Sequence, residues 1–284
     1  MLSSLLTIGT VGQAPVIPEP HIEPTLSPDQ SKYDPNDQRL RDAYNMLQLG
    51  LNAENVQKEE AIWTEIIDKY EGLDEPWVAD IVGRAYGNRG NARSRQGRME
   101  QALTDYNKSI SICPWSVDPV LNRGVVLENL GFFDAAITDY RAVLAVDPSD
   151  PSAWNNLGNA TAGLGRYDEA LPYYEKAAQN SPGFSFATAN IALAKYQLGG
   201  KKRSEAIKSF RALLRRYPDF IEVRAAFSAA LWADGKEEEA EDNWSRVDDA
   251  RYKDRVWLRN TRRWPPSLVD AIENLMDLKS VKSA

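Results

Sequence analysis

The stretch Ala153-Trp154-Asn155-Asn156-Leu157-Gly158, continued by Gly165-Arg166-Tyr167-Asp168-Glu169-Ala170-Leu171 and Tyr173-Tyr174-Glu175-Lys176-Ala177 and closed by Pro182, decides the fold. Its small and aromatic residues recur at a fixed step of 34. Gly90, Gly124 and Gly158 keep that step, as do Gly97, Gly131 and Gly165. So do Ala102, Ala136 and Ala170, then Tyr106, Tyr140 and Tyr174, then Pro114, Pro148 and Pro182. A period of this length marks a repeat architecture. In each unit the second glycine falls between two segments of helical periodicity, where a turn needs positive φ. The proline follows the second segment, which it cannot continue, and can open the next. The first glycine and the alanine are small faces that let two antiparallel helices touch with their backbones close. Each unit reads as a helix–turn–helix hairpin with one apolar face, which only stacking on its neighbours can bury.

Trp, Leu-Gly, Ala, aromatic, Ala and Pro in this order closely resemble the tetratricopeptide signature, with Thr161 where that signature usually has Tyr. The resemblance implies an all-α, right-handed α-solenoid with a C-terminal capping helix. Its divisions follow the marks. Residues 1–36, with six prolines and little periodicity, read as a disordered Pro-rich segment. Residues 37–82 read as a divergent unit and a join, the latter at 73–82. Residues 83–116, 117–150 and 151–184 are regular units. Residues 185–220 form a unit in which Ala192 and Ala206 are 14 apart instead of 12, which puts a two-residue insertion near Gly199-Gly200-Lys201-Lys202. Residues 221–252 are a degenerate unit with Gly235, Ala240 and Trp244 but no closing proline. In 253–284 a basic helix at 254–263 meets a stop at Trp264-Pro265-Pro266. Ser267 then reads as the N-cap of a final helix bearing Leu268, Ile272, Leu275, Met276 and Leu278.

Composition bounds the function. With 43% hydrophobic and 26% charged residues the 284-residue chain belongs to the soluble globular or solenoid class. Its formal charge of -7 argues against generic nucleic-acid binding. One cysteine, Cys113, and one histidine, His21, exclude an intramolecular disulfide and a Cys/His metal site. Cys113 reads as a small packed hydrophobe and His21 as solvent-exposed. No apolar run approaches the roughly 18 residues of a membrane span. Met1 to Ile17 is uncharged and mildly apolar, without the basic start of a secretory signal. It reads either as a disordered start or as the remnant of a processed targeting segment. There is no Gly-rich phosphate loop, no His beside a nucleophile and no carboxylate pair outside ordinary helix surfaces. The chain is therefore expected to be no enzyme and to need no cofactor or metal.

The first helices of such units line a concave wall. One place on it is held by Asn88, Asn122, Asn156 and Asn190, and a place three residues on by Asn91, Val125, Asn159 and Leu193. Asn88, Asn91, Asn122, Asn156, Asn159 and Asn190 form a candidate ladder, since each amide can donate to and accept from a peptide backbone. Tetratricopeptide domains that clamp chaperone tails use Lys, Asn, Asn, Lys and Arg. The matching places here hold Gly87, Asn91, Asn122, Ser152 and Asn156, so no chaperone-tail clamp is expected. A further wall position runs Ser94, Glu128, Ala162, Tyr196, Trp232. Tyr196 and Trp232 read either as an aromatic pocket for an apolar anchor or as a patch under folded-back C-terminal helices. Charge is segregated: Lys201, Lys202, Arg203, Lys208, Arg211, Arg215 and Arg216 face an acidic run from Glu237 to Asp242, either as pairs or as solvated faces. Arg251, Lys253, Arg255, Arg259, Arg262 and Arg263 sit with Trp257 and Trp264, a combination that can bind RNA or anionic lipid.

The segments Asn88-Arg89-Gly90-Asn91-Ala92 and Ala102-Leu103-Thr104-Asp105-Tyr106-Asn107-Lys108-Ser109-Ile110 resemble tetratricopeptide proteins of cyanobacteria and plastids. The ending Arg262-Arg263-Trp264-Pro265-Pro266-Ser267-Leu268 resembles a plant and algal family assigned to the chloroplast thylakoid lumen. That resemblance implies a scaffold for assembly or maintenance of a photosynthetic membrane complex, with protein partners and peripheral membrane association. Two other readings stay open: a structural subunit bound through its convex face or ends, and an RNA- or lipid-binding repeat protein.

Overall fold

The structure, a computed structural model, describes residues 17–282, with side chains to Asp277. Thirteen α-helices follow one another among these residues: α1 (Gln38–Leu51), α2 (Val56–Tyr70), α3 (Val78–Arg95), α4 (Met99–Ile112), α5 (Asp118–Asn129), α6 (Phe133–Val146), α7 (Pro151–Gly163), α8 (Tyr167–Asn180), α9 (Ser185–Leu198), α10 (Gly200–Arg216), α11 (Ile221–Ala233), α12 (Glu237–Ser245) and α13 (Pro266–Lys282). Up to α12 each helix packs on the one before and the one after it, giving stacked hairpins in a right-handed α-solenoid. The odd-numbered helices from α1 to α11 make the concave wall.

The period has a steric cause. From the second hairpin on, the chain turns between the two helices through Gly97, Gly131, Gly165, Gly199 and Gly235, all at φ between 71° and 85°, where a Cβ is strained. A Cβ on Gly90, Gly124 or Gly158 would lie 2.6–2.8 Å from a ring carbon of Tyr106, Tyr140 or Tyr174. The anchor glycine thus makes room for an aromatic ring, where the sequence reading has two backbones meeting. The divergent first unit uses the same device with a larger ring, Trp63 against Gly50.

Three features differ from the sequence reading, and the inserted unit can be placed residue by residue. Helix α3 begins at Val78, five residues before the expected unit start, because Trp77 is buried against Tyr70 and its indole N–H donates to Asp37 at 3.1 Å. In the fourth unit Gly199 keeps the step of 34, so the two extra residues fall after the turn and lengthen α10 at its start. The basic stretch 254–263 is not a regular helix: it closes in a single π-turn over Trp257–Thr261, and Arg263 adopts φ 53°. Ser267 is no N-cap, because α13 already starts at Pro266; its backbone N–H and hydroxyl both donate to Gln197 Oε1, at 3.0 and 2.7 Å. Leu268, Ile272 and Leu275 are buried as expected of the final helix, and the side chain of Leu278 lies outside the described residues.

Of the Pro-rich start, residues 1–16 lie outside the described residues. Residues 17–36, expected to be disordered, are largely exposed but touch the solenoid at a few anchors. Ile17 and Ile22 pack on the core of the second and third hairpins, Tyr33 packs on that of the first, and Glu23 N–H donates to Pro114 O at 2.6 Å. Apolar residues spaced among prolines dock at low entropic cost, since proline has already restricted the unfolded chain.

Candidate functional site

The wall is built from two repeat positions. The hydroxyl of each repeat tyrosine emerges beside its anchor glycine and meets the first helix. Tyr106 donates to Asn91 Oδ1 at 2.8 Å and Tyr174 to Asn159 Oδ1 at 3.1 Å. The same two oxygens accept from the next unit: Asn122 Nδ2 to Asn91 at 3.0 Å, and Asn190 Nδ2 to Asn159 at 3.2 Å. Asn190 also donates to Asn155 Oδ1 at 3.0 Å and is itself buried. Asn88 donates to the Arg84 carbonyl of its own helix. In the second regular unit the acceptor place is Val125, so Tyr140 turns to Glu128 Oε2 at 3.2 Å. In the fourth unit the ring is Phe210 and the wall place is Leu193, so no hydroxyl needs an acceptor.

The asparagines therefore work first as bonds between units. Asn91 with Asn122 and Asn159 with Asn190 are two such rungs, whereas Asn156, for which the corresponding place in the preceding unit is Val125, makes no bond of this kind. Sequence reasoning missed this coupling. Its signal was present: a tyrosine hydroxyl accompanies Asn at the wall place in two units, and loses its oxygen in the unit with Leu193.

The C-terminal half of the wall is filled by the chain itself. Helix α13 packs on α11 and α9, bringing Leu268, Val269, Ile272 and Leu275 onto their alanine-rich faces. Ahead of it, non-helical residues enter the groove. Arg262 Nε lies 2.6 Å from Glu222 Oε1, and the buried Trp264 indole N–H donates to the same oxygen at 3.0 Å. Arg263 stacks over Phe133, donates to Asn129 O at 3.1 Å and approaches Glu128 at 3.8 Å. Tyr196 and Trp232 accordingly form no open aromatic pocket. Tyr196 is buried with its hydroxyl held by Arg203 at 2.7 Å, and Trp232 is half-buried on the same core.

The N-terminal half is open. A cavity of about 590 Å³ lies between α1, α3 and α5, lined among others by Tyr44, Asp80, Arg84, Asn88, Asn91, Trp115 and Asn122. Behind it Cys113 is buried, donates to Ala79 O at 3.0 Å, and has its thiol pushed up to about 12 by burial. Burial, and next the Asp80 charge, likewise push Tyr33 up to about 12.

Deeper in these units, buried ion pairs bridge the helices. Arg123 Nη2 and Nε donate to the two oxygens of Asp139 at 2.6 and 2.9 Å, both side chains 1% exposed. Arg89 grips Asp105 in the same way at 2.8 and 3.1 Å, joined by Arg93. In the third regular unit these places hold Leu157 and Tyr173, and Tyr173 stacks on Trp154. The surface charges are largely used internally too. Arg251, Arg255, Arg259, Arg262 and Arg263 each meet a carboxylate, and Arg211 pairs with Glu239 across α10 and α12. His21 is exposed beside Glu23. Among the described residues no group of three His, Cys, Asp or Glu is placed to hold a metal ion, and no described helix is long and apolar enough to cross a membrane.

Comparison with known proteins agrees with this geometry. Family models described as tetratricopeptide repeat match residues 83–116, 121–183 and 161–226. No curated protein matches the chain. Among solved structures, a tetratricopeptide repeat protein from Parabacteroides merdae aligns with TM-score 0.59 at 17% identity, over 84% of this chain and 96% of that one. The pilF protein of Pseudomonas aeruginosa aligns with TM-score 0.55 at 24% identity, over 72% and 93%. A thermophilic tetratricopeptide protein of Thermus thermophilus aligns with TM-score 0.53 at 18% identity, over 68% and 99%. At these identities the likeness is one of fold.

Proposed function

Taking this chain as what its repeats make it, a tetratricopeptide repeat protein, we propose that it is a non-enzymatic scaffold that holds segments of other proteins on the N-terminal half of its concave wall. Proteins of this repeat type generally mediate protein–protein interaction. One observation carries the placement: α9 and α11 are covered by the chain's own residues 258–277, while α1, α3 and α5 present an open cavity with amides on its lining. Asn88, Asn91 and Asn122 are the ladder residues on its lining, whereas Asn190 is buried under Arg262. The resemblance of the 262–268 ending extends the proposal to a photosynthetic membrane complex, in whose assembly or maintenance the scaffold would act from the thylakoid lumen. The RNA- or lipid-binding reading loses support, because the arginines it relies on are engaged by carboxylates.

Affinity purification of the tagged full chain from its native organism tests both levels. The partner retained by the wild type should be lost from Asn88→Ala/Asn122→Ala and kept by Asn156→Ala. Retention by the double variant overturns the groove, and partners unrelated to photosynthetic membranes, or a signal outside isolated thylakoids, overturn the pathway.

A further inference from the structure

The filled half of the wall shows what this surface accepts. Its occupant is Arg262-Arg263-Trp264, entering as non-helical backbone. A guanidinium and an indole N–H together satisfy one buried carboxylate, Glu222.

The open half holds a buried carboxylate without such an occupant. Asp80 is 2% exposed and lines the cavity between α1, α3 and α5. Its Oδ1 accepts from Arg84 Nε at 2.8 Å, and its Oδ2 is buried with no hydrogen-bond partner. The buried hydroxyl of Tyr33 is also unpartnered. An unpaired buried carboxylate oxygen bears its desolvation cost in full until a donor arrives. The charged residues on the lining are Asp80, Asp118 and Arg84, two negative and one positive, so the cavity favours a cation. Trp115 and Tyr44 also line the cavity, and aromatic rings attract cations and stack on flat side chains. With about 590 Å³ of space, a long basic side chain and a neighbouring ring both fit.

We propose that this cavity takes a segment of another protein by a lysine or arginine seated on Asp80, with an aromatic or proline neighbour against Trp115. The inference rests on the reading that partner segments lie on the open wall, and it names their chemistry: basic and aromatic, the kind the chain supplies to its own Glu222 four units further on.

Calorimetric titration of the full chain with three capped hexapeptides tests it. The first is Thr-Arg-Arg-Trp-Pro-Pro, the second carries citrulline for both arginines, and the third carries glutamate. The arginine peptide should bind, the citrulline peptide at least about tenfold more weakly, and the glutamate peptide not measurably. Asp80→Asn should weaken the arginine peptide by about tenfold. If that variant folds poorly, the citrulline comparison on the native chain carries the same test. Equal binding of all three peptides, weakened by Asn88→Ala, overturns the cation and leaves the groove intact. Binding that ignores Asp80→Asn and rises in Trp264→Ala places the peptide in the C-terminal half and overturns the proposal. So does a dimer in sedimentation that Arg262→Ala abolishes, because the occupant is then a second copy. If no peptide binds, the proposal falls, and the groove is judged separately by partner retention in Asn88→Ala/Asn122→Ala.

Discussion

The units before Pro148 and those after it solve the same packing problem with different chemistry. In the first set, helix pairs are bridged by buried Arg89–Asp105 and Arg123–Asp139, tyrosine hydroxyls reach the wall, and the groove stays open. In the second set, Leu157 and Tyr173 replace the ion pair, Tyr174 still reaches Asn159, Phe210 and Leu193 replace the tyrosine and its acceptor one unit further on, and alanines on α9 and α11 admit a covering helix. A wall that faces water has to satisfy its polar groups from one unit to the next. A covered wall needs small apolar residues instead. The repeat frame fixes neither; two or three positions per unit decide which half stays open.

The hardest way to break this contrast is to take one partner from the second unit's ion pair. Arg123→Leu leaves Asp139 buried and uncompensated, and should cost about 3–5 kcal/mol in denaturant unfolding. Burial already raises Asp139 above the ordinary carboxylate range despite Arg123. A carboxyl with a raised folded-state value contributes its stability below the unfolded value and loses it as pH rises through the folded one. Without Arg123 that rise grows, so the deficit of the variant should shrink in acid. Arg123→Leu/Asp139→Tyr copies the third unit and should return to within about 1 kcal/mol of the wild type, since a well-packed apolar replacement of a buried pair is near neutral. A double variant as unstable as the single one would mean that the two sets of units are not interchangeable.

The next test lies on the border of the two halves. Burial lifts Glu128 to about 7, against the Tyr140 hydroxyl, Arg263 and Arg262. Its stability contribution is complete below about 4.5 and is lost as pH rises through about 7. Glu128→Gln should match the wild type at pH 5 and exceed it by about 1–3 kcal/mol at pH 8, read from denaturant midpoints. A constant difference across that range would place Glu128 in water, and the arginine segment outside the groove.

Much of this was legible in the residues. The step of 34, the turn glycines and the closing prolines are local requirements of backbone and sterics, so they show in sequence wherever the hairpin recurs. Trp63 under Gly50 follows the same rule but escaped it, because a larger ring and a divergent spacing hid the register. The wall asparagines were found by position, yet their bonds were not, since a partner 31 residues away is set by the stacking of units. The groove's occupancy was least legible. Covering by folded-back C-terminal helices is one of two readings of Tyr196 and Trp232, but the segment that enters was not legible: Arg262-Arg263 reads as the end of a basic helix and Trp264 as its stop, and only the buried Glu222 on α11, 40 residues upstream of Arg262, draws them inward.

The smallest expected effect separates the ladder's two roles. Asn190→Ala removes three side-chain bonds at a buried site, two given to the preceding unit and a long one accepted from Arg262, and should cost about 1–3 kcal/mol. Asn122→Ala removes one at a half-buried site and should cost about 1 kcal/mol or less. Asn156 has Val125 at the corresponding place of the preceding unit and bonds only to Asn155, so Asn156→Ala should stay within about 0.5 kcal/mol of the wild type. If the asparagines were only the mortar between units, Val125→Asn should give Asn156 a rung and stabilise the chain, while leaving partner binding unchanged. If they also serve the groove, Asn122→Ala must weaken binding by more than its stability loss explains, and Asn190→Ala, sealed under Arg262, must not weaken it at all.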